Sequence, residues 1–272
     1  MRVIMDLKDG VREFWDESSC GEKLLLENTD KIGYQRQSAE RYALEPIIDS
    51  FAEFDKFSGK IALEIGVGLG ADHQRYAESG ALLSGIDLTK RAVEHTRTRL
   101  SYFGLESDLR VGDAENIDFR DNTFDLVYSW GVIHHSPNTP EVVSEIFRIL
   151  KPRGRAKIMI YHKWSIVGFM LWFRYGLLAL NPRLSLADVY SQQLESPGTK
   201  AYSITEAHAL FDDFSDVKIT TLLTHADLLT SRAGQRHEGF LLTLARKIWP
   251  RKFLKFAFSR AGLFMLIDAR KG

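Results

Sequence analysis

The sequence has 272 residues and a mass of 31.0 kDa, with 44% hydrophobic and 26% charged residues. Its 36 Lys and Arg residues balance 36 Asp and Glu residues, so the formal net charge is zero. These figures exclude a disordered chain, a collagen-like repeat and a small disulfide scaffold. Because the chain lacks an overall basic charge, we expect no nucleic-acid partner. A single cysteine, Cys20, rules out an intrachain disulfide and indicates a reducing, cytoplasmic location.

Neither the first residues of the chain nor its most apolar internal segment predicts a membrane-spanning helix. The first residues contain Asp6 and Asp9 where an export signal would be apolar, so we expect no such signal. The segment 164–180 is strongly apolar, but it is shorter than the roughly 20 residues of a spanning helix. Arg174 also interrupts it. We therefore predict a buried or substrate-covering helix there.

The chain divides into two parts. Residues 1–59 are charged and aromatic with weak helical periodicity, and we predict an N-terminal helical extension that covers the main domain, 60–272. From residue 60 short apolar runs alternate with helical patterns. The predicted strands are 60–65, 81–86, 109–111, 124–128, 156–161, 217–223 and 262–267. This alternation predicts an α/β fold with a parallel sheet and helices on both faces.

Several residues predict where helices and turns begin or end. Thr89 caps a helix that ends near Gly104, and Thr139 caps the helix that starts before Pro140. The pair Ser203 and Glu206 forms a capping box. Residues 151–154 predict a turn before the fifth strand, and 163–200 predict an apolar helical insertion after it.

A glycine-rich turn follows the first predicted strand. Gly66, Gly68 and Gly70 let the backbone approach a ligand, and the next helix offers free N–H groups. Taken alone, this turn also fits the loose dinucleotide-binding fingerprint. In both cases Asp87, at the end of the second strand, would accept hydrogen bonds from ribose hydroxyls.

Three further features separate these alternatives. Glu64 precedes the glycines, where a carboxylate repels a pyrophosphate and attracts a cationic ligand. Asp113 follows the third strand and would accept a hydrogen bond from an amino group such as adenine N6. The segment 124–135 is joined by one helix to the turn at Pro152. With these motifs, residues 60–161 resemble the class I S-adenosylmethionine-dependent methyltransferases, especially the type 11 group that includes ubiquinone and menaquinone biosynthesis enzymes.

The resemblance implies a Rossmann-like, seven-stranded, mostly parallel sheet with helices on both faces and a final antiparallel strand. It also implies S-adenosyl-L-methionine as cofactor. Ten motif positions would bind this cofactor. Glu64, Gly66, Gly68 and Gly70 would lie at its methionyl end, Asp87 and Leu88 at the ribose, Asp113 and Ala114 at the adenine, and Ser129 and Trp130 at the methyl-donor end.

Candidate catalytic groups follow strands four to six, whose carboxyl ends meet at the ligand-binding edge of such a sheet. They are His134, His135, Tyr161, His162 and His225. One histidine would act as general base for the methyl acceptor, since imidazole titrates near neutrality. The alternative is a structural role, because alignment of donor and acceptor can carry methyl transfer. We predict no metal site, since the histidines lack tight ligand spacing.

The stretch 246–260 alternates basic and aromatic residues without an acid. A solvated helix face is one interpretation; peripheral contact with an anionic membrane, beside the apolar segment 164–180, is the other.

The sequence thus predicts an S-adenosylmethionine-dependent methyltransferase acting on O, N, C or S of a small organic molecule. Three alternatives remain open at this point: methylation of a lipophilic or isoprenoid acceptor at a membrane surface, an NAD-dependent oxidoreductase, and a non-catalytic cofactor-binding scaffold. The sequence specifies neither the acceptor nor the oligomeric state.

Overall fold

The computed structural model describes residues 2–231 and 246–272, with side chains from residue 7 onward. Its strands are β1 (Ile61–Ile65), β2 (Leu82–Asp87), β3 (Asp108–Val111), β4 (Phe124–Trp130), β5 (Leu150–Tyr161), β6 (Ser215–Leu222) and β7 (Phe264–Arg270). Within the described chain they form one seven-stranded sheet in the order β3-β2-β1-β4-β5-β7-β6. Strands β1 to β5 pair in parallel, whereas β7 is antiparallel to β5 and β6. This confirms the predicted fold class, including the final antiparallel strand.

Helices surround the sheet. Those before β1 are α1 (Arg2–Glu17), α2 (Glu22–Leu25), α3 (Lys31–Leu44) and α4 (Ile47–Ala52). Those between parallel strands are α5 (Ala71–Glu78), α6 (Lys90–Phe103) and α7 (Thr139–Ile149). Later helices are α8 (Ile166–Trp172), which continues as a π-helical turn (Phe173–Leu177), α9 (Leu186–Gln193), α10 (Ile204–Leu210) and α11 (Arg251–Ala257). Residues 232–245, which precede the predicted basic stretch 246–260, lie outside the described residues.

Local signals set most helix ends. Thr89 caps α6 by accepting a hydrogen bond from Ala92 N, and Gly104 ends it in the left-handed conformation. The capping box of Ser203 and Glu206 forms at α10. The prediction for Thr139 is wrong: the cap position is Asn138, and the Thr139 hydroxyl donates instead to Ile133 O at 3.2 Å. That hydroxyl ties α7 to the preceding 3-10 turn (Ile133–His135).

The predicted turn at 151–154 lies inside β5, which begins at Leu150. A trace of the turn remains, because Arg153 has a φ of +67° and the pairing of β4 with β5 shifts between Phe124 and Leu126. The strand therefore starts earlier than predicted, with an irregularity where the sequence favours a turn.

Apolar cores cover both faces of the sheet. One contains the inner face of α7, with Val143 and Ile146 buried, and the other contains Val167 and Leu171 of α8. The predicted apolar segment is therefore helical and partly buried. Within the described residues, no helix combines the length and apolar character needed to cross a membrane.

The N-terminal helices dock on the sheet through α6. Arg99 is fully buried and donates hydrogen bonds to Gln37 Oε1 and Tyr34 O of α3, and to Leu69 O of the glycine-rich turn. Arg91 pairs with Glu22 of α2 through Nε at 2.7 Å. These polar anchors hold the N-terminal helices beside the turn that follows β1.

Candidate functional site

A cavity of about 410 Å³ lies at the carboxyl ends of β1, β2, β4 and β5. Its wall includes the turn 66–70, Asp87 with Leu88, Asp113 with Ala114, and Trp130. Residues of α1 also line it, among them Lys8 and Trp15. The cavity therefore occupies the sheet edge where ligands bind in open α/β folds.

The glycine-rich turn needs its glycines for geometry. Gly66 has a φ of +82°, and a Cβ there would lie 2.2 Å from Val132 Cγ2. Gly70 has a φ of +74°, and its Cβ would lie 2.8 Å from Thr96 Oγ1. At Gly68, with a φ of +52°, a Cβ would meet nothing within 4 Å. The backbone at Gly68 therefore borders open space, while its neighbours are packed against protein.

Glu64 lines the cavity but is tied to a buried histidine. Its Oε2 lies 2.8 Å from His73 Nδ1, and His73 Nε2 lies 2.8 Å from Ser107 Oγ. Because the Ser107 hydroxyl donates to Leu83 O, it accepts from Nε2–H, and Nδ1 accepts from a protonated Glu64. Burial raises the pKa of Glu64 well above its usual value and lowers that of His73 to about 3. Glu64 is thus a neutral acid. The sequence analysis expected a charged Glu64 to repel a pyrophosphate, and a neutral Glu64 exerts no such charge repulsion.

Asp87 organises the far side of the turn. Its Oδ1 accepts hydrogen bonds from Thr89 N at 2.9 Å and Thr89 Oγ1 at 2.8 Å, and its Oδ2 accepts from Gly68 N at 3.3 Å. Burial raises the pKa of the carboxyl group, although these hydrogen bonds oppose that shift. Asp87 and Leu88 both line the cavity, and the carboxylate keeps acceptor capacity beyond these three hydrogen bonds.

Asp113 is shared with the N-terminal helix. Lys8 Nζ lies 2.6 Å from Asp113 Oδ2 and 2.5 Å from Glu115 Oε2. At the other end of α1, the Trp15 ring meets the His135 ring edge-on at 5.2 Å. Helix α1 therefore covers the cavity from the predicted adenine position to the candidate catalytic histidine.

Of the two predicted methyl-donor positions, one lines the cavity and the other does not. The Trp130 side chain lines the cavity and meets the Phe264 ring at 5.6 Å. Ser129 is buried outside the wall, where its hydroxyl donates to Ile65 O at 3.0 Å and links β4 to β1.

The candidate catalytic residues also fall into two groups, those that line the cavity and those that do not. His135, Tyr161 and His225 line the cavity. His134 lies behind them, with its ring between those of His135 and Tyr161 at 4.3 and 4.1 Å. Burial lowers the pKa of His134 well below its usual value, so its imidazole is neutral. His162 is directed away from the cavity, and its Nδ1 lies 3.1 Å from Gly262 O.

A carboxylate that the sequence analysis missed completes this wall. The Tyr161 hydroxyl donates to Glu195 Oε2 at 2.8 Å, and the same oxygen lies 3.3 Å from His135 Nε2. Glu195 lies between α9 and α10, outside the motif-bearing region, so no sequence signal identified it. Side-chain ligand atoms of His134, His135 and Glu195 lie within 4.8 Å of one another, an arrangement able to hold a metal ion. The sequence predicted no such group, because the fold and not the spacing assembles it.

A second buried cluster surrounds Asp72. This carboxylate accepts hydrogen bonds from Arg41 Nη2 at 2.7 Å, the Tyr42 hydroxyl at 3.0 Å and the Tyr128 hydroxyl at 2.9 Å. Arg41 also lies 3.5 Å from Glu45. The positive charge of Arg41 is therefore neutralised where it borders the cavity.

Comparisons with known proteins agree with this geometry. Residues 63–158 match the family model described as a methyltransferase domain. Phosphoethanolamine N-methyltransferase 2 of Caenorhabditis elegans is 38% identical over 122 residues, 43% of this chain and 27% of that protein. The chain thus spans about a quarter of the length of this relative.

Two solved structures share the fold over almost the whole chain. A phosphoethanolamine N-methyltransferase 2 of Haemonchus contortus, in complex with phosphomonomethylethanolamine and S-adenosylhomocysteine, has a TM-score of 0.59 and 17% identity, covering 96% of this chain and 60% of that one. The [4+2]-cyclase SpnF has a TM-score of 0.55 and 16% identity, covering 99% and 94%. At these identities the likeness shows the fold alone, and the second protein is named as a cyclase.

Proposed function

We propose that the chain belongs to the class I methyltransferases of the type 11 group and that it transfers the methyl group of S-adenosylmethionine to a small organic acceptor. The observation that carries the proposal is the single cavity wall that joins the matched motif region, 63–158, to the polar group of Tyr161, Glu195 and His135. A donor site and an acceptor site would thus be continuous.

The residues present fit this cofactor. Open space at Gly68 allows close approach to the backbone, and Asp87 keeps acceptor capacity for the ribose hydroxyls. Asp113 and Ala114 would receive the adenine, and Gly66, Gly70 and Leu88 would shape the pocket between these groups. Glu64, as a neutral acid, would support the glycine-rich turn that follows it. Ser129 would hold β4 against β1 through its hydrogen bond to Ile65 O, and Trp130 would border the methyl-donor end. When bound, the sulfonium supplies an electrophilic methyl group.

The chain's own residues then hold the acceptor and exclude water. Residues 1–59 act as a cover, since Lys8 and Trp15 reach two ends of the cavity. Residues 60–272 form the methyltransferase domain. The insertion 163–200 supplies Glu195 opposite Tyr161. His135, Tyr161 and His225 are the catalytic candidates that border the acceptor.

Isothermal titration tests the cofactor assignment. S-adenosylhomocysteine should bind the wild type, and NAD should give no heat, whereas the reverse would favour an oxidoreductase. Asp87→Asn should weaken S-adenosylhomocysteine binding by about ten- to a hundredfold, since a hydrogen bond to a charged group contributes about 1.5–3 kcal/mol. Asp212→Asn, an exposed position outside the wall, is the matched control and should bind like the wild type. Equal binding by both variants would contradict the assignment. Binding without turnover across acceptors would favour a scaffold.

An exposed apolar and basic surface supports a second proposal, peripheral contact with an anionic membrane. Leu180 after α8 is 90% exposed and Phe256 of α11 is 89% exposed, beside the basic Lys255. The two segments are neighbours, because Asp227 accepts from Val167 N through its carboxylate and from Trp249 Nε1 through its carbonyl. A lipophilic acceptor could then enter from the membrane.

Vesicle co-sedimentation tests this contact. The wild type should sediment with vesicles of phosphatidylglycerol and phosphatidylcholine, and raised salt or Phe256→Ser with Lys255→Gln should release it. Equal recovery of wild type and double variant would contradict the contact.

A further inference from the structure

His135 Nε2 and Glu195 Oε2 lie side by side in the cavity wall, and no hydrogen bond joins them. His135 is 5% exposed, and its Nε2 makes no hydrogen bond to any described residue. That nitrogen lies 3.3 Å from Glu195 Oε2, which already accepts from the Tyr161 hydroxyl. A buried polar atom in this position calls for a partner from outside the protein.

The hydroxyls beside His135 accommodate its Nδ1–H tautomer. Nδ1 lies 2.8 Å from Ser196 Oγ and 3.0 Å from Thr199 Oγ1, and because the Thr199 hydroxyl donates its hydrogen to Ser196 O at 2.7 Å, the Thr199 oxygen can accept from Nδ1–H. In this tautomer Nε2 presents a lone pair. Nε2 and Glu195 Oε2 are then both acceptors, and a group with two N–H donors would satisfy them together.

The charges of the wall favour a cation. Among the described residues that line the cavity, the permanently positive side chains are Lys8 and Arg41, and both are ion-paired. Glu195 has no Lys or Arg partner among the described residues. Trp15, Trp130 and Phe264, which also line the cavity, offer ring faces or edges suited to an ammonium on an aromatic or apolar body.

Building on the proposed methyl transfer, we propose that the acceptor is an apolar amine, bound as its ammonium ion with one N–H on Glu195 and another on His135 Nε2. His135 then takes one proton from the nitrogen and becomes an imidazolium, and the N–H bonding electrons stay on nitrogen as a lone pair. That lone pair would form the new N–C bond while the methyl–sulfur bond of S-adenosylmethionine breaks, with its electron pair remaining on sulfur, so that S-adenosylhomocysteine leaves as a neutral thioether. Glu195 keeps its charge throughout and stabilises the imidazolium. His135 later returns its proton to solvent.

This assignment differs from what a phosphorylated amine would need. A phosphate group binds arginine or lysine donors, and the two permanent cations of the described wall are already engaged with Asp72, Asp113 and Glu115. The structure thus assigns the amino group, and not a phosphate, as the recognised feature.

Titrations with matched probes test the inference. The probes are 2-phenylethylamine, 2-phenylethanol and O-phosphoethanolamine, each measured with and without S-adenosylhomocysteine. The amine should bind at least about tenfold tighter than the alcohol, as one charge-assisted hydrogen bond provides, and O-phosphoethanolamine should bind more weakly than the amine. Glu195→Gln should reduce the amine-to-alcohol ratio to near one, whereas Glu106→Gln, an exposed control, should keep it.

Several results would overturn the inference. They are no detectable amine binding, equal affinity for amine and alcohol, or an unchanged ratio in Glu195→Gln. Glu195→Asp, which keeps the charge, should retain part of the preference, so a loss caused by misfolding is recognised. Loss of the preference in EDTA with recovery in Zn²⁺ would assign His134, His135 and Glu195 to a metal instead. Failure of S-adenosylhomocysteine to bind, with the amine preference intact, would remove the proposed function and leave the ammonium site.

His135→Asn separates proton transfer from binding. It should lower the methylation rate of 2-phenylethylamine at least a hundredfold, within the range for a lost general base, while the variant still binds the amine through Glu195. A wild-type rate would exclude His135 as the proton acceptor.

Discussion

Replacing Gly66 with alanine tests how tightly the turn after β1 is built. The new Cβ would sit 2.2 Å from Val132 Cγ2 at a φ of +82°. The left-handed backbone costs an alanine about 1–2 kcal/mol, and overpacking adds about 1–3 kcal/mol. We therefore expect Gly66→Ala to lower the free energy of unfolding by about 2–5 kcal/mol. At about 2–4 °C per kcal/mol for a chain of this size, the melting temperature should fall by about 5–15 °C.

Gly68→Ala is the matched control, because it has the same backbone preference without a neighbour within 4 Å. It should cost only about 1–2 kcal/mol of stability, yet it should weaken S-adenosylhomocysteine binding, since its Cβ enters the cavity. Urea unfolding followed by tryptophan fluorescence gives both stabilities, and titration gives the affinities. Val132→Ala should partly rescue Gly66→Ala, because it removes the two methyl groups that the new Cβ meets. Equal stabilities of the two alanine variants would refute this account of the turn.

Three other predictions concern the cover, its anchor and the histidines. Arg91 lowers the pKa of Glu22 from its ordinary value of 4.5 to about 2, so the pair stabilises the fold above pH 4.5 and loses this contribution as the pH falls toward 2. Glu22→Gln should therefore lower the free energy of unfolding by about 1–2 kcal/mol in urea at pH 7, after allowance for solvent screening, and by nothing near pH 2. A deficit independent of pH would contradict this. Arg99→Met should lower the free energy of unfolding by about 3–5 kcal/mol, because it leaves the buried acceptors Gln37 Oε1 and Leu69 O unpaired. A change below about 1 kcal/mol in thermal unfolding would be inconsistent with that burial. His135→Gln should slow methyl transfer at least about a hundredfold, whereas His162→Gln, outside the cavity wall, should keep the wild-type rate per folded molecule. The opposite ranking in a radiolabel assay would reverse the assignment.

The sequence predicted the sheet because each parallel strand carries its own local signals. The apolar runs at β1 and β4, the cap at Thr89 and the end at Gly104 act over a few residues, and the structure reproduces them. Thr139 shows the limit of such signals. Its hydroxyl suits a cap, but tertiary contact with Ile133 offers the same hydrogen bond elsewhere.

The site was predictable where it follows the motifs and not where distant segments converge. Asp87 and the glycines lie at adjacent strand ends, so their proximity follows from a parallel sheet. Glu195 accepts a hydrogen bond from Tyr161, which lies 34 positions earlier in the sequence, and the insertion that carries Glu195 has no motif of its own. Lys8 meets Asp113 across 105 positions. The neutral state of Glu64 was missed because it depends on a hydrogen-bond chain that no motif records: His73, nine positions later in α5, links Glu64 to Ser107, a further 34 positions along.

The most direct test of the central claim is mass spectrometry of 2-phenylethylamine after incubation with the protein and S-adenosylmethionine carrying a trideuterated methyl group. The account predicts a product heavier by one trideuteromethyl group on nitrogen, formed by the wild type and lost in Asp87→Asn. A protein that binds both molecules yet yields no labelled amine would contradict it.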